Sequence, residues 1–153
     1  MIRTSSMFAG LAVAVVVTAG AATVAGRGAQ DKASAQPTPN PNGWQLPADA
    51  ADKKSPIEAD EKVLAAGKSV FKDKCQKCHG PGGLGDGPDA DPDARPDMDL
   101  TVAKRADRNP DGVVFYKVMN GRKRPKMPAF KDELNEQQVW QVVAYVQSLR
   151  KKS

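Results

Sequence analysis

The chain has 153 residues, 23 Lys+Arg against 18 Asp+Glu for a formal net charge of +5, one histidine and two cysteines. So few soft ligands exclude a zinc knuckle, which wants further ligands at similar short spacings. A basic run without interleaved aromatic residues does not describe a nucleic-acid stacking surface, so no nucleic-acid partner is expected.

Taken from its start, the chain places Arg3 before an uncharged stretch, residues 7–26, rich in Ala, Val and Gly. Such a start reads as an export signal. A signal's apolar core is usually shorter than the roughly 20 residues a spanning helix needs, so residues 1–26 are expected to form a signal anchor or signal peptide, in the first case a transmembrane helix. Small residues at Ala19-Gly20-Ala21 and Thr23-Val24-Ala25 leave cleavage open. With Arg3 inside, everything from Arg27 onward would lie outside the cytoplasm.

Residues 27–55 shift to Pro, Ala, Asn, Asp and Lys. Pro37, Pro39, Pro41 and Pro47 break any regular element, and the segment reads as a flexible linker. Trp44 stands out within it, either capping the following domain or docking a partner.

Residues 56–150 are one domain's worth of chain, with 151–153 a basic tail. No long alternating pattern marks a strand, so helices are expected. A first helix is expected with Ser55 as cap, Pro56 at its first position and Glu58 in the capping-box place. Val63, Gly67, Val70 and Phe71 follow at helical spacing. A glycine costs nearly 1 kcal/mol inside a helix, so Gly67 suggests the close approach of another helix.

That helix runs into Cys75-Gln76-Lys77-Cys78-His79, which uses both cysteines and the only histidine. Cys-Xaa-Xaa-Cys-His is the pattern of covalent haem attachment: Cys75 and Cys78 would form thioethers with the vinyl groups, and His79 would bind iron from one face. A thioredoxin-like dithiol would belong beside a βαβ pattern, which is missing around Cys75.

A second helix is expected from Pro110 to about Met119, capped by Asn109 and stopped at Asn120-Gly121. Val114, Phe115 and Val118 would carry its apolar face. A last helix begins near Asn135, with Gln138 at the box position, and runs to about Arg150. Val139, Val142, Val143, Val146 and Leu149 would be buried, with Trp140 and Tyr145 at the edges. For the iron's second axial position the candidates are Met98, Met119 and Met127. Met127 is preferred, because Lys126-Met127-Pro128 lies in a loop that can drape a thioether over the haem face.

On Gly67, Phe71, the Cys75–His79 motif, Asn120-Gly121, Met127-Pro128-Ala129-Phe130 and Val142-Val143-Ala144-Tyr145 with Leu149, the chain resembles a class I c-type cytochrome. The resemblance implies an all-α fold with crossed N- and C-terminal helices around one haem c, His79/Met127 ligation, and one-electron transfer without enzymatic activity. It also implies a proline carbonyl bonded to the proximal imidazole; Pro81, Pro88, Pro92 and Pro96 are available, Pro88 looking nearest.

Acidic residues crowd 86–99, whereas 117–131 holds Lys117, Arg122, Lys123, Arg124, Lys126 and Lys131 without an acid. A basic surface near the haem edge would speed encounter with redox protein partners, expected among quinol-oxidising complexes, terminal oxidases or reaction centres. The expected place is the bacterial cytoplasmic membrane, single-pass, with the haem domain on the periplasmic side, or the periplasm after signal cleavage. The other functional readings are a fixed haem-bearing subunit of an electron-transfer complex and a catalytic haem protein with an open distal position.

Overall fold

The computed structural model describes residues 43–150; residues 1–42 and 151–153 lie outside the description. Five α-helices follow in order: α1 (Glu61–Lys74), α2 (Gln76–His79), α3 (Arg95–Met98), α4 (Asp111–Asn120) and α5 (Glu136–Ser148), with 3-10 turns at Pro92–Ala94 and Ala103–Arg105. The only β pairing among the described residues is two isolated bridges, Leu84 with Asp99 and Arg122 with Met127. The all-α expectation holds.

Helix α1 starts later than its sequence suggests. The Ser55 hydroxyl is occupied within its own turn, donating to Ile57 O at 2.9 Å and accepting from Ile57 N. Asp60 caps the helix instead, accepting from Val63 N at 2.7 Å. At the other end of the domain, Asn135 and Gln138 form the expected reciprocal capping box on α5; each satisfies a backbone donor the helix leaves open.

The two terminal helices cross at Gly67. A Cβ there would collide with Gln141 O and come within 2.9 Å of Tyr145 Cβ, so only a hydrogen at this position lets the backbones approach. One turn on, fully buried Phe71 packs on Tyr145 with ring centroids 5.3 Å apart. Val139, Val142, Val143 and Val146 fill the same core with Val114, Phe115, Val118, Phe130 and Leu134. Trp140, expected at the edge, is 2 % exposed and stacks on Phe115 at 4.3 Å. Its place follows from α4, whose Phe115 lies over the adjoining face of α5.

Upstream of α1, residues 43–54 pack on the helices. Ala50 is buried, and a Cβ on Gly112 of α4 would strike the Ala50 and Lys53 carbonyls. Lys53 Nζ lies 4.7 Å from the Phe115 ring centroid and 3.6 Å from Glu136 Oε1. Trp44 sits over Lys117 and Arg122.

No helix among the described residues is long and apolar enough to cross a membrane. The longest, α1, has 14 residues, short of the roughly 20 a span needs. This corrects the expected transmembrane helix and the single-pass membrane placement drawn from it; the stretch 7–26 on which both rested lies outside the described residues.

Candidate functional site

Between α1, α4, α5 and the loops that join them lies a cavity of about 560 Å³. Its apolar wall comes from Phe71, Val114, Val118, Phe130, Val142 and Val146, residues that also belong to the core. Cys75, Cys78, His79 and Met127 all line it. The sequence-selected residues are therefore brought together at one cavity, although Met127 is remote from the others in the chain.

The motif is delivered by the C-terminal end of α1, which Cys75 caps. Cys75 N continues the α1 ladder to Phe71 O, and Cys78 N and His79 N both bond Cys75 O, so α2 turns off directly from α1. The two thiols are not joined to each other. Burial, reinforced by Cys78 and Asp73, pushes the Cys75 thiol up to about 12.

The loop after the motif folds back onto it. Gly85 N bonds His79 O, Gly87 N bonds Cys78 O, and Asp89 N bonds Lys77 O at 2.8 Å. Gly87 is required by that approach, since a Cβ would strike Lys77 O. The loop then presents α3, whose Met98 carbonyl accepts from His79 Nδ1 at 2.8 Å. The acceptor is thus Met98, not a proline; Pro88, expected nearest, is exposed. Arg105 braces this turn, donating to the Asp97 carbonyl at 2.9 Å and to Pro96 O, with its guanidinium 3.7 Å from the Asp97 carboxylate. Thr101 closes the far side by donating from N and Oγ1 to Asp99 Oδ1.

A carbonyl can only accept, so the proton resides on Nδ1 and the imidazole keeps Nε2 free as a donor atom for a metal. Burial holds the His79 pKa below its ordinary value, against the opposing pull of the Met98 bond, and Arg122 pushes the same way. A neutral imidazole with one oriented nitrogen is what metal ligation requires.

On the other wall, Gly121 ends α4 with φ +60°, a conformation glycine adopts without steric cost. A Cβ there would also press on Pro128 C at 2.6 Å. The turn is held by Arg122 N to Met127 O at 2.9 Å and Met127 N to Arg122 O at 3.0 Å. Met98 also lines the cavity, whereas Met119 packs against the core and is not among the lining residues.

The basic run divides. Lys123, Arg124, Lys126 and Lys131 are exposed, Lys126 at the cavity mouth. Lys117 and Arg122, partly buried, turn to the cavity with Trp44, Arg105, Arg108 and Arg150. Burial first, then Arg122, Arg105, Arg150 and Arg108, lower the Lys117 pKa to about 8. Arg122 Nε is buried without a hydrogen-bond partner. An apolar slot with two thiols at one edge, a free imidazole nitrogen and an orphaned cationic donor fits a haem c, which has vinyl groups, iron and carboxylates to offer them.

Fold and cavity together define a small helical domain whose two cysteines, single histidine and Met127 line one largely apolar cavity. The family described as Cytochrome c matches residues 64–150, more than half of the chain, and the chain belongs to that family, whose domains typically serve as electron carriers rather than enzymes. Among solved structures, a chain of the Kuenenia stuttgartiensis reducing HAO-like protein complex is similar at 30 % identity and TM-score 0.53, over 63 % of this chain and 47 % of that one. This chain therefore corresponds to less than half of that relative's length. A solved c-type cytochrome is similar at 25 % identity and TM-score 0.45, over 56 % of this chain and 98 % of that one. No curated protein matches.

Proposed function

We propose that this chain holds one haem c through thioethers at Cys75 and Cys78, with His79 Nε2 and Met127 Sδ as axial ligands, and passes single electrons as a haem-bearing component of a redox protein assembly. The observation that carries the reading is the 2.8 Å bond from His79 Nδ1 to Met98 O in a cavity that Cys75, Cys78 and Met127 also line. It fixes the ring, and it favours Met127 over Met98 as the second ligand: Nδ1 faces Met98 O, so Nε2 points away from that residue's backbone.

A bound haem would supply a one-electron Fe(III)/Fe(II) couple. The chain's own residues would hold the ring, exclude water from its faces and fix the donor strength of His79 through Met98. Membership of an assembly is supported by the likeness to a chain of the reducing HAO-like protein complex. The exposed Lys123, Arg124, Lys126 and Lys131 beside the Met127 turn would form the docking face for an acidic redox partner.

Met127→Ala tests the ligation. It should abolish the low-spin His/Met spectrum and admit exogenous ligands to the iron, and a retained spectrum would sink the assignment. Replacing both Cys75 and Cys78 with Ala should make the haem extractable by acid and organic solvent, whereas haem on the parent chain stays attached.

A further inference from the structure

Trp44 lies outside residues 64–150, the part of the chain that matches the family, yet it lines the cavity. Its ring is 4.9 Å from Lys117 Nζ and 4.5 Å from Arg122 Cζ, so one indole covers two cations. The segment is held at both ends: Asn120 Nδ2 reaches Gln45 O at 3.4 Å, and Ala50 is buried against Gly112.

The charge around this point does not balance. Arg105 is engaged by Asp97 and by the α3 carbonyls. Arg150 donates to Asn109 O at 3.0 Å and is favoured by nearby Asp111. Asp89 lines the cavity but is exposed, as is Arg108. Lys117 finds only the neutral Asn109 Oδ1. Arg122 feels Asp97, a carboxylate already engaged by Arg105, and its Nε has no hydrogen-bond partner. Withdrawing an ammonium and a guanidinium from water with no carboxylate hydrogen-bonded to either is costly, and the cost is met when an anion joins them. Haem carries two carboxylate side chains, one on each of two adjacent pyrroles.

We propose that Trp44, Lys117 and Arg122 form a clamp for a haem carboxylate, closed by a segment upstream of the family's own sequence. The inference rests on the haem reading above. Lys117 and Arg122 hold the carboxylate ionised by charge-assisted hydrogen bonds, and Trp44 shields that contact from water. The burial that depresses the Lys117 pKa to about 8 is offset once the carboxylate arrives.

The test uses the full-length holoprotein, with covalent haem confirmed by intact mass under denaturing conditions and low-spin ligation by its spectrum. The midpoint potential is then measured from pH 5 to 9. In the parent it should stay level between pH 5 and 8, because the carboxylate remains ionised throughout. In Lys117→Met and Arg122→Met it should fall with rising pH across that range, since a carboxylate freed of its cations titrates there. Lys117→Gln serves if the Met variant does not fold. Trp44→Ala should lower the potential at every pH by admitting water, which favours the ferric state, and Trp44→Phe should restore it. Variants that keep attached haem and the parent profile overturn the clamp while the haem reading stands, as does a Trp44→Ala protein changed only in melting temperature. A parent chain that carries no covalent haem overturns both.

Discussion

The Met98 carbonyl oxygen sits 2.8 Å from His79 Nδ1 across 19 residues of sequence, and Arg105 holds the turn that places it. The guanidinium spans the Pro96 and Asp97 carbonyls and the Asp97 carboxylate. Arg105→Ala should therefore lower stability by about 1 kcal/mol, below the usual range for charge-assisted bonds because the group is partly exposed. Arg105→Lys should not rescue it, since a point charge cannot span both carbonyls as a planar fork does. Denaturant unfolding of the two holoproteins checks this.

His79 gives the pH dependence. Burial lowers its folded-state pKa from 6.5, and ligation of iron at Nε2 would exclude the proton further. Below about pH 6.5 the unfolded chain takes up a proton that the folded chain refuses. Stability is therefore fully present above that pH and declines as pH falls through 6.5 toward the depressed folded value. The chain has one histidine, and the part of the decline between pH 7 and 5.5 that persists in Lys117→Met, where the haem carboxylate is already freed of that cation, belongs to His79. A denaturation midpoint level across that window would contradict it.

Local signals were legible where their partners are local. The Asn135/Gln138 box and the Val139, Val142, Val143, Val146 stripe define α5 from sequence, and Gly67 announces a crossing whose partner proves to be Gln141 and Tyr145. At the start of α1 two capping residues competed. Ser55 lost to Asp60 because its hydroxyl is spent on Ile57, which spacing alone does not reveal. Trp140 looked peripheral on its own helix and became core through Phe115 on another. The proximal acceptor is hidden for a different reason: a backbone carbonyl has no side-chain signature, so the sequence marks the prolines and shows Met98 only as a sulfur. Lys117 and Arg122 looked like part of one solvated basic run. Only the tertiary fold sets them apart, under a tryptophan that arrives from upstream.

Gly67→Ala should destabilise the protein despite the better helix propensity of alanine. Propensity would contribute about 1 kcal/mol in favour, but the added methyl meets Gln141 O, a backbone atom that cannot rotate away. Separating α1 from α5 to accommodate it also disturbs the Phe71–Tyr145 contact, and overpacking of this kind costs about 1 to 3 kcal/mol. We expect a net loss of up to about 2 kcal/mol in chemical unfolding, with the haem spectrum retained at low temperature. A stabilised variant would mean that the helices separate more easily than this crossing implies.

The exposed cations beside Met127 make a prediction that separates a transient docking face from a permanent one. Lys123, Arg124, Lys126 and Lys131 are exposed, so their contribution to association is screened once the Debye length falls below the distance to a partner's acids, about 10 Å at 0.1 M salt. If these residues steer a partner of opposite charge, Lys123→Glu with Lys126→Glu should slow electron transfer about tenfold or more at low ionic strength and change it little at high salt, because steering acts on the rate of encounter. If the chain is instead fixed within its assembly through an apolar contact, the same pair should leave the transfer rate unchanged at every salt concentration. Stopped-flow reduction by an acidic redox protein across a salt series distinguishes the two. The double variant should keep the parent spectrum, since neither lysine contributes an atom to the Arg122–Met127 backbone bridge.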